Sequence, residues 1–318
     1  MKRIRGRYCP LSHSFNLSFN VANMPSLKEV RIRIASVKST QQITSAMKMV
    51  AASKLRRAQN AILKMRPYAA KLKEILQNLS ASIESSGDNP YTQQRKPVKV
   101  LIIVLTSNRG LCGAFNSNII KAALQCIAEK YQQSFDSGNL SVMTIGRKGS
   151  EFFAKRNFNL VSTHDSLYDA LTWDNASAIA EGLMKSFADG QYDRIEVVYN
   201  QFRNAALQKI TVEQFLPIEP PKADSSAPQQ NQVDYIFEPS KEEIVNELIP
   251  KSLKIQFYKA LLDSYASEHG ARMTAMHQAT DNARDLLRDL NLAYNKARQA
   301  SITKEILEIV SGAEALKG

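Results

Sequence analysis

The sequence contains no long apolar run. Its longest one, residues 100–105, is far shorter than the roughly 18 to 20 residues that cross a bilayer, so any membrane role must be indirect. Cysteine is also scarce. Cys9, Cys112 and Cys126 are odd in number and lack CxxC spacing, which argues against a disulfide framework or a zinc site and indicates a reducing compartment.

Signatures of catalysis are missing as well. Glycine-bearing turns at residues 106–114 and 146–149 follow strand-like segments, but neither has the order of a P-loop or a dinucleotide fingerprint, so we interpret their glycines as tight turns. Cys112 lies where a helix could activate it, yet no histidine is spaced to act as its base. His269 and His277 are too far apart on one helix for a metal pair, and we expect both to be solvated. The sequence thus predicts no catalytic, cofactor or metal site.

Two very long helical segments dominate the sequence. In each, apolar residues recur at alternating steps of three and four, the spacing of a coiled coil. The C-terminal segment, residues 251–316, would be on the order of 100 Å long, and the N-terminal one, residues 27–83, roughly 85 Å. Pro67 is expected to kink the N-terminal helix without ending it. The polar positions on its seam are Gln41, Thr44 and Lys48. The C-terminal seam consists of Met273, Met276, Thr280, Ala283, Leu287, Leu290, Tyr294 and Ala297.

Between the two helices the period changes. Residues 98–105 form a continuous aliphatic run, which is typical of a strand buried on both faces. Predicted helices and strands then alternate, which indicates an α/β layer with a mainly parallel sheet. They are helix 114–131, strand 140–145, helix 150–156, helix 173–188, strand 194–199 and an edge strand at 210–216. Residues 217–232, rich in Pro, Gln and Ser, indicate a flexible excursion.

The α/β domain is therefore inserted between two helices that must run antiparallel, because both enter and leave it at the same place. We expect Ile83 to be level with about Ser240. Met47 then lies near Arg272, and Ser26 falls opposite the mid-290s. The last turns of the C-terminal helix, from about residue 297, have no partner in their own chain.

These patterns predict the domain boundaries. Residues 1–23, with four basic residues and no acid, could be a mitochondrial presequence or an upstream extension, and the fold is expected to begin near Met24. The domains are the extension 1–23, the N-terminal helix 24–84, the α/β domain 98–216, the excursion and return segment 217–239, and the C-terminal helix 240–318. Capping boxes precede both helices, Ser26 with Glu29 and Ser240 with Glu243.

Two surfaces need partners. The unpaired C-terminal turns are apolar on more than one face, including Ile302, Ile306 and Ile309, and such a helix is unstable in water unless another protein covers it. The N-terminal helix carries most of the positive excess of a chain with net charge +12. It could bind nucleic acid, but it lacks interleaved aromatics and a recognised module. An acidic protein surface explains its one-sided charge better.

Several contiguous motifs resemble the gamma subunit family of F-type ATP synthases, and the resemblance covers residues 25–316. The first is the N-terminal helix at residues 28–55, which contains Gln41-Gln42-Ile43-Thr44-Ser45-Ala46-Met47-Lys48. The second is the turn Ser107-Asn108-Arg109-Gly110-Leu111-Cys112-Gly113. The third is the C-terminal helix, with Ala279-Thr280-Asp281-Asn282-Ala283, Tyr294-Asn295-Lys296-Ala297-Arg298-Gln299 and Glu308-Ile309-Val310-Ser311-Gly312-Ala313.

The resemblance implies an antiparallel two-helix coiled coil with an inserted Rossmann-like α/β domain. It implies the central stalk of a rotary motor that couples proton flow to ATP synthesis or hydrolysis. The stalk tip turns inside a ring of alternating alpha and beta subunits, and its globular foot sits with epsilon on the membrane ring of c subunits. Nucleotide chemistry then occurs on the ring, so this chain needs no cofactor and no nucleic acid. The expected location is the cytoplasmic face of a bacterial inner membrane, or alternatively the matrix side of a mitochondrial one.

The resemblance also implies contact residues. Arg298 and Gln299 match positions that contact an acidic loop region of a beta subunit, while Met47 and Arg272 match positions where the shaft meets the ring and itself. No cysteine-bearing insert like that of chloroplast relatives is apparent, so thiol control is not expected. The predicted contacts with the catalytic ring are Met47, Arg272, Arg298, Gln299, Ile302, Ile306 and Ile309.

Overall fold

The structure, a computed structural model, describes residues 26–83, 90–205, 207–218 and 241–316. The predicted extension 1–23, most of the segment 217–239 and Ser240 of the second capping box lie outside these residues. The helices are α1 Leu27–Ile83, α2 Phe115–Lys130, α3 Gln132–Asp136, α4 Arg147–Ala154, α5 Trp173–Ala188 and α6 Lys241–Ala315, with a 3₁₀ helix at Asp165–Asp169. The strands are β1 Val100–Leu105, β2 Leu140–Ile145, β3 Leu160–Thr163, β4 Arg194–Phe202 and β5 Gln208–Leu216.

The start of α1 confirms the first capping box. The Ser26 backbone N–H donates to Glu29 Oε2 at 3.0 Å, and the Glu29 N–H donates to Ser26 Oγ at 3.3 Å. These reciprocal bonds satisfy two amides that the helix itself leaves without acceptors. Pro67 lies inside α1 and does not end it, as predicted, and Pro250 lies inside α6.

The five strands form one sheet in the order β3-β2-β1-β4-β5. β1 pairs in parallel with β2 and β4, and β2 with β3, whereas β5 pairs antiparallel with β4 at the edge. Every residue of β1 is buried, as its unbroken aliphatic run predicts. β3 and α3 were not predicted from the sequence, because both are short and only partly buried and so lack a clear periodic pattern.

Helices cover both faces of the sheet. α5 and α6 pack on one face, where Phe187, Phe257 and Leu261 are buried. α2 packs on the other face through residues such as Ile119. Burial of these large side chains supplies the main favourable free energy of the α/β domain.

The chain divides into two compact units, Met1–Thr40 with Asn282–Gly318, and Gln41–Asp281. In the second unit Thr280 Oγ1 donates to Thr44 Oγ1 at 2.9 Å, and Lys48 Nζ lies 3.4 Å from His277 Nδ1. Advancing one turn along α1 therefore means going back one turn along α6, so the two helices are antiparallel as predicted.

These contacts confirm the predicted register to within one or two residues, because counting equally from Ile83 and Ser240 places Thr44 level with Ala279 and Lys48 level with Ala275. Lys48 lies beside His277, so its neighbour Met47 is level with that part of α6 and not with Arg272. The expected pairing of Met47 with Arg272 is therefore wrong, since Met47 is level with about Gln278, which lies six residues or about 9 Å further along α6. Equal counting from Ile83 and Ser240 places Met47 level with Met276, so the pairing with Arg272 did not follow from the predicted register. In the first unit Arg31 contacts Tyr294, which puts Ser26 slightly beyond the predicted mid-290s.

We expect cysteines at Thr44 and Thr280 to form a disulfide within one chain, because the two hydroxyl oxygens are 2.9 Å apart and a disulfide requires Cα atoms within about 7 Å. Thr44→Cys combined with Met273→Cys is the matched control, since it lies on the same seam one heptad earlier. Mobility on a non-reducing gel reports the cross-link. Faster cross-linking of the control pair would contradict the register.

Candidate partner-binding surface

The end of α6 presents an uncovered apolar surface. All residues from 302 to 316 are exposed, and the side chain of Ile309 is 71% exposed. At 100° per residue, Ile302, Ile306 and Ile309 fall on the same half of the helix. Lys304 and Glu308 lie on the other half and form an i,i+4 ion pair at 3.6 Å. The half of these turns that carries the three isoleucines is therefore apolar and open to solvent, and Leu307 adds exposed apolar surface on the other half. The large apolar residues exposed there are Ile302, Ile306, Leu307, Ile309, Val310 and Leu316.

Arg298 and Gln299 extend this apolar face toward the N-terminus of α6. Arg298 lies one turn before Ile302, and both Arg298 and Gln299 are exposed. The Thr303 hydroxyl donates to the Gln299 carbonyl at 2.9 Å, so that bond uses only the main chain of Gln299. The structure therefore places five predicted contact residues on one helix face, namely Arg298, Gln299, Ile302, Ile306 and Ile309.

Positive charge collects beside this face. Arg31 Nη2 donates to the Tyr294 hydroxyl at 2.9 Å, and its guanidinium lies over the tyrosine ring. That hydrogen bond, the charge of Arg31 and a further contribution from Arg298 lower the pKa of Tyr294. Within the described ranges, neither arginine makes an ion pair with a carboxylate. Within those ranges the positive charge at the base of the apolar surface is therefore not neutralised by an ion pair.

Met47 and Arg272 belong to the other compact unit and have different surroundings. Met47 is 40% exposed on α1. Arg272 is mostly buried, since only 14% of its side chain is exposed, and it forms an ion pair with Glu268 at 2.5 Å. It also donates to the carbonyl oxygens of Arg109 and Gly110 at 2.9 and 3.3 Å. Met47 is thus available to a partner, whereas the hydrogen bonds of Arg272 are directed to its own chain.

The prediction that His269 is solvated is wrong. His269 is only 5% exposed and packs against the Tyr265 ring at a centroid distance of 4.4 Å. Burial, together with the charges of Arg272 and Lys54, lowers its pKa to about 3. The periodicity contained a signal for this, because His269 lies four residues before Met273, which is the next step of the predicted seam toward the N-terminus. A second signal was Gly270, whose added Cβ would lie 3.1 Å from the Ala205 carbonyl oxygen.

We expect the full chain to lose stability as the pH falls below 6.5, because His269 takes up a proton in the unfolded chain but not in the folded one. A pKa lowered from 6.5 to about 3 corresponds to a loss of about 2 kcal/mol between pH 7 and pH 5. Thermal unfolding at both pH values measures it. His269→Gln should remove this part of the pH dependence, whereas His277→Gln, at an exposed position, should retain it. Equal behaviour of the two variants would contradict the assignment.

The glycine turn at residues 146–149 has a structural role. Gly146 has φ +106°, and an added Cβ would lie 2.1 Å from the Thr106 carbonyl oxygen, so only glycine permits this close approach. The amides of Arg147, Lys148 and Gly149 at the start of α4 all donate to acceptors of the chain itself. A phosphate site would need such amides to be free.

Cys112 shows no sign of activation. It is 2% exposed, and burial raises the pKa of its thiol. A raised pKa favours the thiol over the nucleophilic thiolate, which argues against a catalytic role. Among the described residues, no group of three or more His, Cys, Asp and Glu side chains could hold a metal ion. In the same ranges no helix combines the length and apolar character needed to cross a membrane.

The solved structures show that this fold is known. One similar chain comes from the cryo-EM structure of Euglena gracilis mitochondrial ATP synthase, OSCP/F1/c-ring, rotational state 3, with a TM-score of 0.66 and 21% identity over 91% of this chain and 94% of that chain. Another comes from the rotor of the same enzyme in rotational state 1, with a TM-score of 0.61. At this identity the likeness establishes the fold alone.

The sequence comparisons identify the family. The family model described as ATP synthase matches residues 26–316. The ATP synthase gamma chain of Cytophaga hutchinsonii is 57% identical over 293 residues, which cover 92% of this chain and 99% of that protein. The ATP synthase gamma chain of Flavobacterium psychrophilum is 57% identical over 296 residues, covering 93% and 100%. The chain belongs to the ATP synthase gamma chain family.

Proposed function

We propose that this chain is the central-stalk rotor subunit of an F-type ATP synthase. It couples proton flow through the membrane sector mechanically to ATP synthesis or hydrolysis in the catalytic head. Two observations carry this proposal. The chain is 57% identical to a gamma chain over 92% of its length, and the apolar end of α6 is exposed in the isolated chain. Such an end requires a partner that covers it.

The partners follow from the two ends of the molecule. The alpha and beta subunits surround the end of α6, with Ile302, Ile306 and Ile309 in an apolar collar and Arg298 and Gln299 against acidic groups of a beta subunit. Met47 contacts the ring from α1. The α/β domain, residues 98–216, sits with epsilon on the ring of c subunits. The similar Euglena chain was solved in an assembly that includes F1 and the c-ring, which supports this arrangement.

The gamma chain is a subunit of an enzyme complex, and we propose that it contributes no catalytic residue. The internally bonded amides at the start of α4 and the buried Cys112, whose thiol pKa is raised by burial, support this view. We place the chain on the cytoplasmic face of a bacterial inner membrane, as a peripheral subunit of a membrane-associated complex. The bacterial relatives with 57% identity support that location.

Affinity purification of the tagged chain from its native cells tests the proposal. We expect stoichiometric recovery of alpha, beta and epsilon subunits with ATPase activity, and of the c-ring when the membrane is solubilised with mild detergent. The alternative, a basic nucleic-acid-binding protein, predicts RNA or DNA that dissociates steeply with salt. Recovery of nucleic acid without ATPase subunits would overturn the proposed function.

A further inference from the structure

One short stretch of α6, residues 267–274, crosses the carboxyl ends of the central strands. The Ser267 hydroxyl donates to the Asn200 carbonyl in β4 at 3.0 Å, and the Thr274 hydroxyl donates to the Ala205 carbonyl at 3.3 Å. β1 and β4 are neighbours in the sheet. The connection that leaves β1 and the connection that enters β4 run toward opposite sides of the sheet. This is the switch point where α/β folds usually leave a ligand crevice. Here the chain's own helix lies against it.

Arg272 makes the most directional contact of this stretch. One guanidinium nitrogen, Nη2, donates to the carbonyls of Arg109 and Gly110, and the other, Nη1, is held by Glu268 one turn back on α6. Glu268 is itself buried. We call these contacts the Arg272 bridge. A planar guanidinium can hold two carbonyls and a carboxylate at once, which a lysine ammonium does with far less geometric precision.

The turn that accepts the Arg272 bridge is itself fastened to the α/β domain. The Asn108 side chain donates to the Asp165 carbonyl at 2.6 Å and accepts from the Arg147 amide at 3.1 Å. Ser107 donates to the Arg109 carbonyl at 2.7 Å. The bridge therefore links α6 to a turn that is bonded to the 3₁₀ helix and to α4.

We propose that residues 267–274 are the joint through which torque passes between α6 and the α/β domain, and that Arg272 is its positioning residue. This inference rests on the proposed rotor function. It assigns the contacts of Arg272 to its own chain and not to the catalytic ring. The packing of α6 on the sheet resists twisting through shape alone, because hydrophobic contact is itself non-directional. Hydrogen bonds to a charged group hold an orientation.

The first part of the test measures the bridge in the full chain by amide hydrogen exchange. Arg272→Lys should raise exchange at residues 107–115 at least about tenfold, since a lysine ammonium lacks the planar fork that holds both carbonyls of that turn together with Glu268. Arg288→Lys, the same change at an exposed position of α6, should leave exchange there unchanged. Unchanged exchange in Arg272→Lys would overturn the proposal.

The second part measures coupling in the complex. The Arg272→Lys complex should assemble and hydrolyse ATP, while its proton pumping per ATP falls at least about threefold and that of Arg288→Lys does not. If the Arg272→Lys complex pumped as many protons per ATP as the parent complex, the torque role would be wrong. A changed ATP hydrolysis rate without a changed amide exchange would also contradict it, because that result indicates that Arg272 contacts the catalytic ring. Failure of the unmodified chain to join an ATPase complex contradicts the proposed function itself, and the exchange measurement does not depend on that outcome.

Discussion

The substitutions Ile306→Asp and Ile309→Asp are each expected to prevent most of the catalytic ring from assembling on this chain. Both side chains are largely exposed in the isolated chain, so the change does not disturb its own core. In the proposed collar each isoleucine contributes about 1.5 to 3 kcal/mol by burial, and an aspartate there adds a desolvation cost. The affinity for the ring should therefore fall at least about 30-fold, because 1.4 kcal/mol corresponds to a factor of ten.

Size-exclusion chromatography of co-expressed subunits measures this loss. Ser311→Asp is the matched control, since it introduces the same charge within the same turns, on the half of α6 that carries Lys304 and Glu308. Circular dichroism of each free chain verifies that α6 remains helical. Full assembly of Ile309→Asp, or equal losses in Ile309→Asp and Ser311→Asp, would contradict an apolar collar on this face.

The coiled-coil seams could be predicted because burial in a two-helix pair depends on spacing alone. All described seam positions of α1 are buried or half-buried, including the polar Thr44 and Lys48, and the seam of α6 continues from Met273 to Ala297 in the same way. The interior strands of the sheet could also be predicted from the sequence, since β1 is aliphatic throughout. Local patterns suffice wherever one periodic face meets one partner.

Residues 267–274 could not be predicted in this way, because three elements meet there. Glu268 lies off the seam, so periodicity assigns it to solvent, yet it is buried, whereas the seam continued back from Met273 reaches His269. The Arg272 bridge joins positions more than 160 residues apart, and no local rule relates them. Of the predicted contact residues, those on the open end of α6 could be read from sequence, whereas the surroundings of Arg272 required the tertiary structure.

The double variant Arg298→Ala with Gln299→Ala is expected to assemble normally but to turn over ATP about tenfold more slowly. Within the described ranges, neither residue stabilises the isolated fold through a side-chain ion pair. Both residues precede the apolar turns of α6 that the proposed collar surrounds. Assembly therefore persists. What changes is the preference of the shaft for particular angles, because a charge-assisted bond from Arg298 to a carboxylate is worth about 1 to 3 kcal/mol and depends on orientation.

An apolar sleeve and a charged contact thus have opposite effects on rotation. The sleeve around Ile306 and Ile309 allows turning, since each angle costs about the same. Arg298 and Gln299 meet acidic groups of one catalytic subunit at a time, which biases the conformation of that subunit without locking the shaft. Steady-state ATPase rate and subunit stoichiometry of the purified complex measure both effects, with Lys304→Ala on the opposite face as control. If the Arg298 and Gln299 variant hydrolysed ATP as fast as the parent complex, the coupling role of these residues would be wrong.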